Sequence, residues 1–175
     1  GMLYIIKLAD NSLVLIDGAQ GSQFPESQSD NLMKMLREIT GTKDGETIKI
    51  AAWYITHAHG DHKTQNVIEG MTKRNKPILA AFDIDGAKVM KVEHEKVYKM
   101  GDVTIRTTIG DHNKRLLNYV TSYEIDCGDN TNNTVIFHSG DSHNYKQLNP
   151  QKQVDIFMPH ISVGLKIQKA IDKFK

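Results

Sequence analysis

The chain contains 175 residues, of which 22 are basic and 21 are acidic, and its formal net charge is +1. This near-balance argues against a strongly charged surface for nucleic acid or membrane, and no apolar run reaches the roughly 18 residues of a membrane-spanning helix. A chain of this length is most simply one domain, expected over residues 1–175, and its single cysteine, Cys127, cannot form an intrachain disulfide, which favours a reducing, cytoplasmic location.

In the first half of the chain, strand and helix patterns alternate. Residues 3–19 predict a β-hairpin, because two apolar, β-rich runs flank the polar turn "ADNS". A helix should follow, with Ser29 or Asp30 as its N-cap and an end near Gly41. The pattern then predicts a buried strand, a helix and a second strand over residues 48–56, 63–74 and 76–82.

The second half of the chain predicts mainly strands. Residues 84–101 have a weaker pattern, in which "KVYKMGDVTIRTTI" indicates two short strands about Gly101-Asp102. A hairpin is expected over residues 118–142, with its turn in the polar "GDNTNN". A strand in "VDIFMPH" and a helix over residues 164–174 would complete the chain.

The segment "THAHGDH" follows the predicted buried strand and places four possible metal ligands within six residues: His57, His59, Asp61 and His62. If the chain stays extended there, alternation directs the first three to one side and His62 elsewhere. Gly60 would allow a sharp turn, so one loop could serve two adjacent metal ions. Imidazole and carboxylate ligands suit zinc, and also iron or manganese. A polar surface loop with chance histidines is the alternative, and the density of ligands disfavours it.

Three further candidate ligands each follow an apolar run of their own. These are His112 in "TTIGDHN", Asp141 in "VIFHSGDS" and His160 in "DIFMPH". Strand ends that meet at one edge of a sheet are a common place for a site. The sequence therefore predicts a metal site built from the HxHxDH segment together with these three residues.

The pattern resembles the metallo-β-lactamase superfamily of metal-dependent hydrolases. The resemblance rests on "LVLIDGA", "ITHAHGDH" and "IFHSGD", which occur in that order along nearly the whole chain. It implies an α/β fold, the αββα metallo-β-lactamase-like sandwich, and leaves open a truncation at the C-terminus. It also implies a ligand set for two metal ions: His57, His59 and His112 for the first, Asp61 and His62 for the second, and Asp141 bridging them.

A finer resemblance is to the branch that includes the hydrolase domain of competence proteins. In that branch an Asn and a Ser precede the later motifs, and Asn118 and Ser122 match them here. A Pro-His-His-Gly element is matched only in part by "MPHISVG". The family's last ligand histidine often lies beyond a further helix and strand. Either His160 takes that role, or the final strand and its histidine are absent and the second metal site is incomplete.

The function implied by the resemblance is hydrolysis by a metal-bound hydroxide, with Asp61 or Asp141 orienting the water and accepting a proton. Two divalent ions, zinc or else iron or manganese, would be the cofactors. The substrate would be a small molecule or a phosphodiester, with lactones, thioesters and amides also open, and no oligomeric state is indicated. Two alternatives remain: a metal-binding member that does not hydrolyse, redox or decayed, and a hydrolase-like module of a larger protein.

Other polar residues have competing interpretations. Asp17 either supports a ligand histidine through a hydrogen bond or is a simple turn residue. His138 and His143, which flank Asp141, are expected at the surface or in support of the ligands, and a role for either as an additional ligand is the alternative. His94 is expected to be a solvated strand residue.

Overall fold

The structure, a computed structural model, describes residues 3–18, 27–110, 112, 120–128, 133–142, 144, 146–160 and 167–174. Two compact units divide the chain, Gly1–Lys91 and Val92–Lys175. Each unit contains one five-stranded sheet, in agreement with the predicted α/β class. The prediction of one domain over residues 1–175 is not tested by this division and stays a prediction.

The sheet of the first unit has the strand order β1-β2-β3-β4-β5. Its strands are Tyr4–Lys7, Leu13–Ile16, Ile50–Tyr54, Ile78–Ala80 and Val89–Lys91. Strands β1 and β2 form the predicted antiparallel hairpin, whereas β2 to β5 pair in parallel. All four residues of β2 are buried, as is usual for a parallel strand that is covered on both faces. The short strand β5 was not predicted, because only three residues carry its pattern.

The helices of the first unit are α1 and α2, with a short 3-10 turn before α2: Ser27–Thr40, Gln65–Lys73 and Gly60–His62. The predicted N-cap of α1 is wrong, because Ser29 and Asp30 both lie within the helix. Short polar residues are common both at a cap and in a first turn, so the pattern did not fix the start. The predicted end is confirmed, since Gly41 follows α1 with a φ of +69°, the left-handed conformation that ends many helices.

The apolar core of the first unit lies between its sheet and its two helices. Leu15 and Trp53 from the sheet belong to the same buried cluster as Leu36 of α1 and Met71 of α2. Each of these side chains is at most 1% exposed, and full burial of such a side chain stabilises by about 1.5–3 kcal/mol. This packing holds β2 and β3 in fixed positions, and the candidate site follows their carboxyl ends.

The sheet of the second unit has the order β10-β9-β8-β7-β6. Its strands in chain order are Val97–Met100, Val103–Gly110, Val120–Asp126, Val135–His138 and Ile156–Met158. Strands β6 to β9 are antiparallel neighbours, and β10 is parallel to β9. The predicted strand pair about Gly101 and the later hairpin are both confirmed, although residues 129–132 of the hairpin turn lie outside the described residues.

The predicted C-terminal helix is confirmed over Ile167–Phe174, here α3, and residues 164–166 of that prediction lie outside the described residues. None of the described helices has the length and apolar character needed to cross a membrane.

A buried glutamate ties the segment after β9 to strand β8. Glu124 is 4% exposed, and its Oε2 accepts hydrogen bonds from the backbone N–H groups of Gln151 at 2.5 Å and Lys152 at 3.3 Å. The Lys152 ammonium also donates to Asp126 and, together with the Gly128 N–H, holds the pKa of that carboxyl below its usual value. These contacts fix the segment that leads into β10.

We therefore expect Glu124→Leu to lower the free energy of unfolding by about 1–3 kcal/mol, because two backbone N–H groups lose their acceptor. Chemical denaturation followed by circular dichroism measures this change. The control is Glu93→Leu, since the Glu93 side chain is exposed, and it should stay within about 0.5 kcal/mol of the parent. Equal losses in both variants would contradict the role of Glu124.

Candidate metal centre

The carboxyl ends of strands β2 and β3 bring Asp17 beside the segment that follows β3. The register pairs Ile16 with Tyr54, so the two chains leave the sheet side by side. The Asp17 N–H donates to the Tyr54 carbonyl at 2.8 Å, and the Trp53 indole N–H donates to the Asp17 carbonyl at 2.9 Å. Asp17 has a φ of +59°, a left-handed conformation that few residues other than glycine adopt. The backbone of Asp17 is therefore held by β3.

The Asp17 carboxylate is 1% exposed and accepts three hydrogen bonds. Its Oδ1 accepts from the Thr56 N–H at 2.7 Å, and its Oδ2 accepts from the Thr56 hydroxyl at 2.7 Å. The same Oδ2 lies 2.8 Å from Nδ1 of His62. A buried carboxylate needs such donors to offset its loss of water. Of the two interpretations of Asp17, the structure therefore favours support of a histidine over a simple turn residue.

This network determines which nitrogen of each buried histidine carries the proton. Because a neutral His62 donates from Nδ1 to the carboxylate, its Nε2 is the unprotonated nitrogen. The Thr56 hydroxyl gives its one proton to Asp17, so it accepts from Nδ1 of His57, 3.1 Å away. The Nε2 of His57 is consequently unprotonated as well. Metal ligation requires this neutral form, held by a hydrogen bond at the other ring nitrogen.

The candidate ligand atoms of the first unit lie close together. His57 Nε2 is 2.9 Å from His59 Nδ1, and a ligand nitrogen of His57 lies within 4.8 Å of one of His62. Two nitrogens on one tetrahedral zinc ion are roughly 3.3 Å apart, given a Zn–N distance of about 2.0–2.1 Å. Asp61 Oδ2 lies 3.7 Å from His62 Nε2. This donor set of imidazoles and a carboxylate fits a divalent transition metal.

A sharp turn after His59 produces this grouping. His59 is still extended, with a ψ of 140°, but Gly60 begins the 3-10 turn and the His62 N–H donates to the His59 carbonyl at 3.1 Å. The turn returns His62 to His57, and their ring centroids are 3.9 Å apart. The expectation that His62 points away from His57 was therefore wrong, because strand alternation ends before the turn.

Close packing between two loops requires a glycine at position 18. A Cβ atom there would lie 2.6 Å from the Thr64 hydroxyl and 3.0 Å from the backbone of Lys63. Any side chain at Gly18 would displace the segment that joins the 3-10 turn to α2. The small residue therefore lets the chain after β2 lie directly against the segment that follows the ligands.

In the second unit, His112 and Asp141 lie near each other. His112 follows β7 and Asp141 follows β9, and these strands run in the same direction because each is antiparallel to β8. His112 Nε2 is 3.9 Å from Asp141 Oδ2, with both side chains partly buried. One cation between them would span this distance, given metal–ligand bonds of about 2.0–2.2 Å. The predicted convergence of strand ends thus holds for these two residues.

The remaining predicted residues of this unit have mixed outcomes. His138 is 5% exposed, so the expectation that it could lie at the surface is wrong. His160 is partly buried, and its N–H donates to the Ser139 hydroxyl at 2.8 Å. His143 and Asn118 lie outside the described residues. The role of His160 as a ligand stays a prediction.

The expectation of a solvated His94 was also wrong. His94 is partly buried and lies 3.4 Å from the Thr121 hydroxyl, and burial lowers its pKa. Cys127 is buried, and burial raises the pKa of its thiol, which opposes thiolate chemistry. Neither side chain joins the candidate ligands through a described contact.

Thr56 is the functional residue that sequence reasoning missed. Its backbone and hydroxyl connect Asp17 to His57, and it is fully buried. The available signal was its position, since it is the last residue before the histidines and the only hydroxyl residue in "IKIAAWYIT" besides Tyr54. A buried hydroxyl at that point needs partners, and a neighbouring histidine and a carboxylate provide them.

A family model described as "Beta-lactamase superfamily domain" matches residues 6–172. Among curated proteins, none matches the chain in sequence. The finer resemblance to the competence-protein branch is not confirmed by these comparisons and stays a prediction.

Three similar solved structures support the fold. A subclass B3 metallo-β-lactamase of Bradyrhizobium japonicum, BJP-1, is 19% identical, with 96% of this chain and 75% of that chain covered and a TM-score of 0.58. A HARLDQ-motif mutant metallo-β-lactamase from Cronobacter sakazakii is 13% identical, with 97% and 79% covered and a TM-score of 0.58. A mutant of the β-hydroxylase CmlA from Streptomyces venezuelae is 16% identical, with 89% and 32% covered and a TM-score of 0.57. At these identities the likeness concerns the fold alone, and it confirms the predicted metallo-β-lactamase-like class.

The Asp17 network generates a direct prediction. In Asp17→Asn the side-chain amide has two possible orientations. In one its NH₂ group faces the Thr56 N–H, and in the other it faces Nδ1–H of His62. The first leaves a buried donor unpaired, and the second favours the His62 tautomer that protonates Nε2. We expect metal affinity to fall about 10–100-fold, as measured by titration of the metal-free protein.

The matched control is Asp10→Asn, which removes the same charge at the other end of β2. Asp10 is exposed and accepts its described hydrogen bonds from Ser12. Metal affinity should be unchanged in this variant. If Asp10→Asn and Asp17→Asn weaken metal binding equally, net charge and not the buried network would be the cause.

Proposed function

The chain belongs to the β-lactamase superfamily, and from that premise we propose that it is a metal-dependent hydrolase with a dinuclear site. The observation that carries the proposal is the buried network in which Asp17 and Thr56 hold two histidines with Nε2 unprotonated. His57 is fully buried and His62 is almost fully buried, and in this tautomer each ring presents at Nε2 the lone pair that ligates a metal ion. A divalent metal ion is the partner that suits them.

The proposed ligand set follows the family order. His57, His59 and His112 would bind the first ion, Asp61 and His62 the second, and Asp141 would bridge them. The short distances within each unit, 2.9 Å from His57 to His59 and 3.9 Å from His112 to Asp141, support this set. His160 is the candidate for the last ligand of the second ion. Zinc is the proposed metal, with iron and manganese as alternatives, because the set contains imidazole and carboxylate but no thiolate.

The proposed mechanism assigns separate roles to the fully buried residues and to the partly buried carboxylates. Bound divalent ions would make water acidic enough to serve as a nucleophile near neutral pH and would polarise the scissile bond. Asp61 and Asp141 would orient the attacking water, and one of them would accept its proton. Asp17 and Thr56 would keep the imidazoles in their ligand tautomers throughout, so no proton has to move on those rings during turnover. Phosphodiesters, lactones, thioesters and amides are the proposed substrate classes.

A second candidate function is metal chemistry without hydrolysis. The structural likeness to the β-hydroxylase CmlA supports it, because the same donor set that suits zinc also suits iron. In that comparison the chain covers 32% of the larger protein, which also supports a module within a longer polypeptide. Metal identity separates the two candidates, since zinc has no redox chemistry.

The deciding experiment is elemental analysis of the purified protein followed by activity measurements with each metal. The substrates are chromogenic phosphodiester, lactone, thioester and β-lactam compounds. We expect about two zinc ions per chain and hydrolysis of at least one class, lost on chelation and restored by zinc. Tightly bound iron with visible absorption and no hydrolysis would favour the non-hydrolytic function instead.

Asp141→Asn tests the bridging position. This change keeps the side-chain shape but removes a negative charge that offsets the repulsion between two cations. Bound metal should fall from about two ions towards one, and hydrolysis should fall by at least about 100-fold. The control is Asp172→Asn, since Asp172 is exposed and its described hydrogen bond is to Gln168 of its own helix. Full metal content in Asp141→Asn would show that another residue bridges.

A further inference from the structure

The turn that carries Asp141 is held from the two strands that flank β9 in the sheet of the second unit, β8 and β10. From β8, the Ser122 hydroxyl donates to the Ser139 carbonyl at 2.8 Å. From β10, the Met158 carbonyl accepts from the Ser139 N–H at 3.1 Å. Just after β10, the His160 N–H donates to the Ser139 hydroxyl at 2.8 Å. Ser139 is fully buried, and every polar group of it takes part in these contacts. Ser139 is therefore fixed, and it also holds the chain beyond it, since its hydroxyl donates to the Gly140 carbonyl at 2.9 Å and its carbonyl accepts from the Ser142 N–H at 3.3 Å.

A further restraint on the turn, the one on the Gly140 N–H, comes from His138, the last residue of β9. Its ring is 5% exposed, and its Nδ1 accepts a hydrogen bond from the Gly140 N–H at 3.0 Å. Gly140 is buried and has a φ of +55°, so the chain reverses sharply at this residue. A side-chain acceptor bonded to the N–H two residues later is the arrangement of an Asx turn. Here a histidine provides the acceptor that an asparagine usually provides.

The bond also defines the state of the ring. A ring nitrogen that accepts from a backbone N–H carries no proton, so a neutral His138 has its proton on Nε2. In this turn Nδ1 of the neutral imidazole therefore accepts a hydrogen bond from the backbone, and its Nε2–H can only donate one.

We propose that His138 is a positioning residue for Asp141: its unprotonated Nδ1 sets the turn at Gly140 and thereby the placement of the Asp141 carboxylate. The inference rests on the proposed function insofar as Asp141 is a metal ligand. Asp141 is bonded directly to Gly140 in the chain, and its carboxylate lies 3.9 Å from His112 Nε2. A rotation of the Gly140 peptide would move that carboxylate away from His112.

Two substitutions separate this role from simple filling of the core. Asparagine places its carbonyl oxygen where Nδ1 of histidine lies and can accept from the N–H two residues later. Glutamine is nearer to histidine in volume, but its oxygen lies one bond further out, close to the position of Nε2. A packing role therefore predicts that His138→Gln is the milder change, whereas the positioning role predicts that His138→Asn is.

The test compares wild type, His138→Asn and His138→Gln. In the metal-free proteins, NMR gives the hydrogen exchange rate of the Gly140 amide, and ¹⁵N chemical shifts give the tautomer of His138. In the metal-loaded proteins, titration gives the affinity for the second ion. We expect the glutamine variant to exchange Gly140 at least about tenfold faster and to bind the second ion about 10–100-fold more weakly, while the asparagine variant stays near wild type.

Three results would overturn the proposal: an Nδ1–H tautomer in the wild-type protein, a glutamine variant equal to wild type, or an asparagine variant as impaired as the glutamine variant. The tautomer measurement requires no substitution, so it decides even if a variant fails to fold. A wild-type protein that binds no metal would contradict the proposed function. The Gly140 exchange rates and the tautomer would still support or overturn the role of His138 in holding the turn.

Discussion

The buried carboxylate of Asp17 is the interaction on which the candidate site of the first unit depends. It accepts from Thr56 twice and from His62 once, and its own backbone is bonded to β3 on both sides. Charges at this depth are tolerated only when donors surround them. The network therefore couples the end of β2, the end of β3 and the 3-10 turn into one polar unit, and the histidine tautomers follow from it.

The two units hold their candidate ligands by the same physical means. In the first unit, a carboxylate after one strand restrains the residues after the next strand. In the second unit, Ser122 of β8 and His160, which follows β10, both bond to Ser139, and His138 bonds to the Gly140 N–H. In both units, hydrogen bonds from buried protein groups take the place of hydrogen bonds that a loop would otherwise make to water. Such restraint reduces the entropy that the loop would lose on binding an ion.

The amino-acid pattern predicted the parts of the fold that depend on local periodicity. The opening hairpin, the buried strand before His57 and the helix that ends at Gly41 follow from alternation, apolar runs and a glycine that adopts positive φ. The HxHxDH segment identified the site because its ligand types are dense and adjacent. The neighbouring placement of His112 and Asp141 followed from each residue coming directly after a strand.

What the pattern could not supply depends on contacts between segments distant in the chain. The burial of His138 and His94 is decided by neighbouring strands, and the return of His62 to His57 by a turn of three residues. Thr56 became significant only when Asp17, 39 residues earlier in the chain, was beside it. Strand β5 was missed because three residues give too short a period to recognise.

The left-handed backbone of Asp17 has a consequence for how this position tolerates substitution. Two independent requirements act at this position, one on the backbone conformation and one on the side chain. The φ of +59° admits glycine, asparagine and aspartate with little strain, and the surrounding donors admit only a side chain with two acceptor oxygens. Glycine tolerates the positive φ but has no acceptor oxygens. Glutamate has the carboxylate but is strained at this φ. Asparagine tolerates the φ but has only one acceptor oxygen. Aspartate is the one amino acid that meets both requirements. A saturation library at this codon should therefore retain mainly aspartate when it is selected for folding and for metal binding.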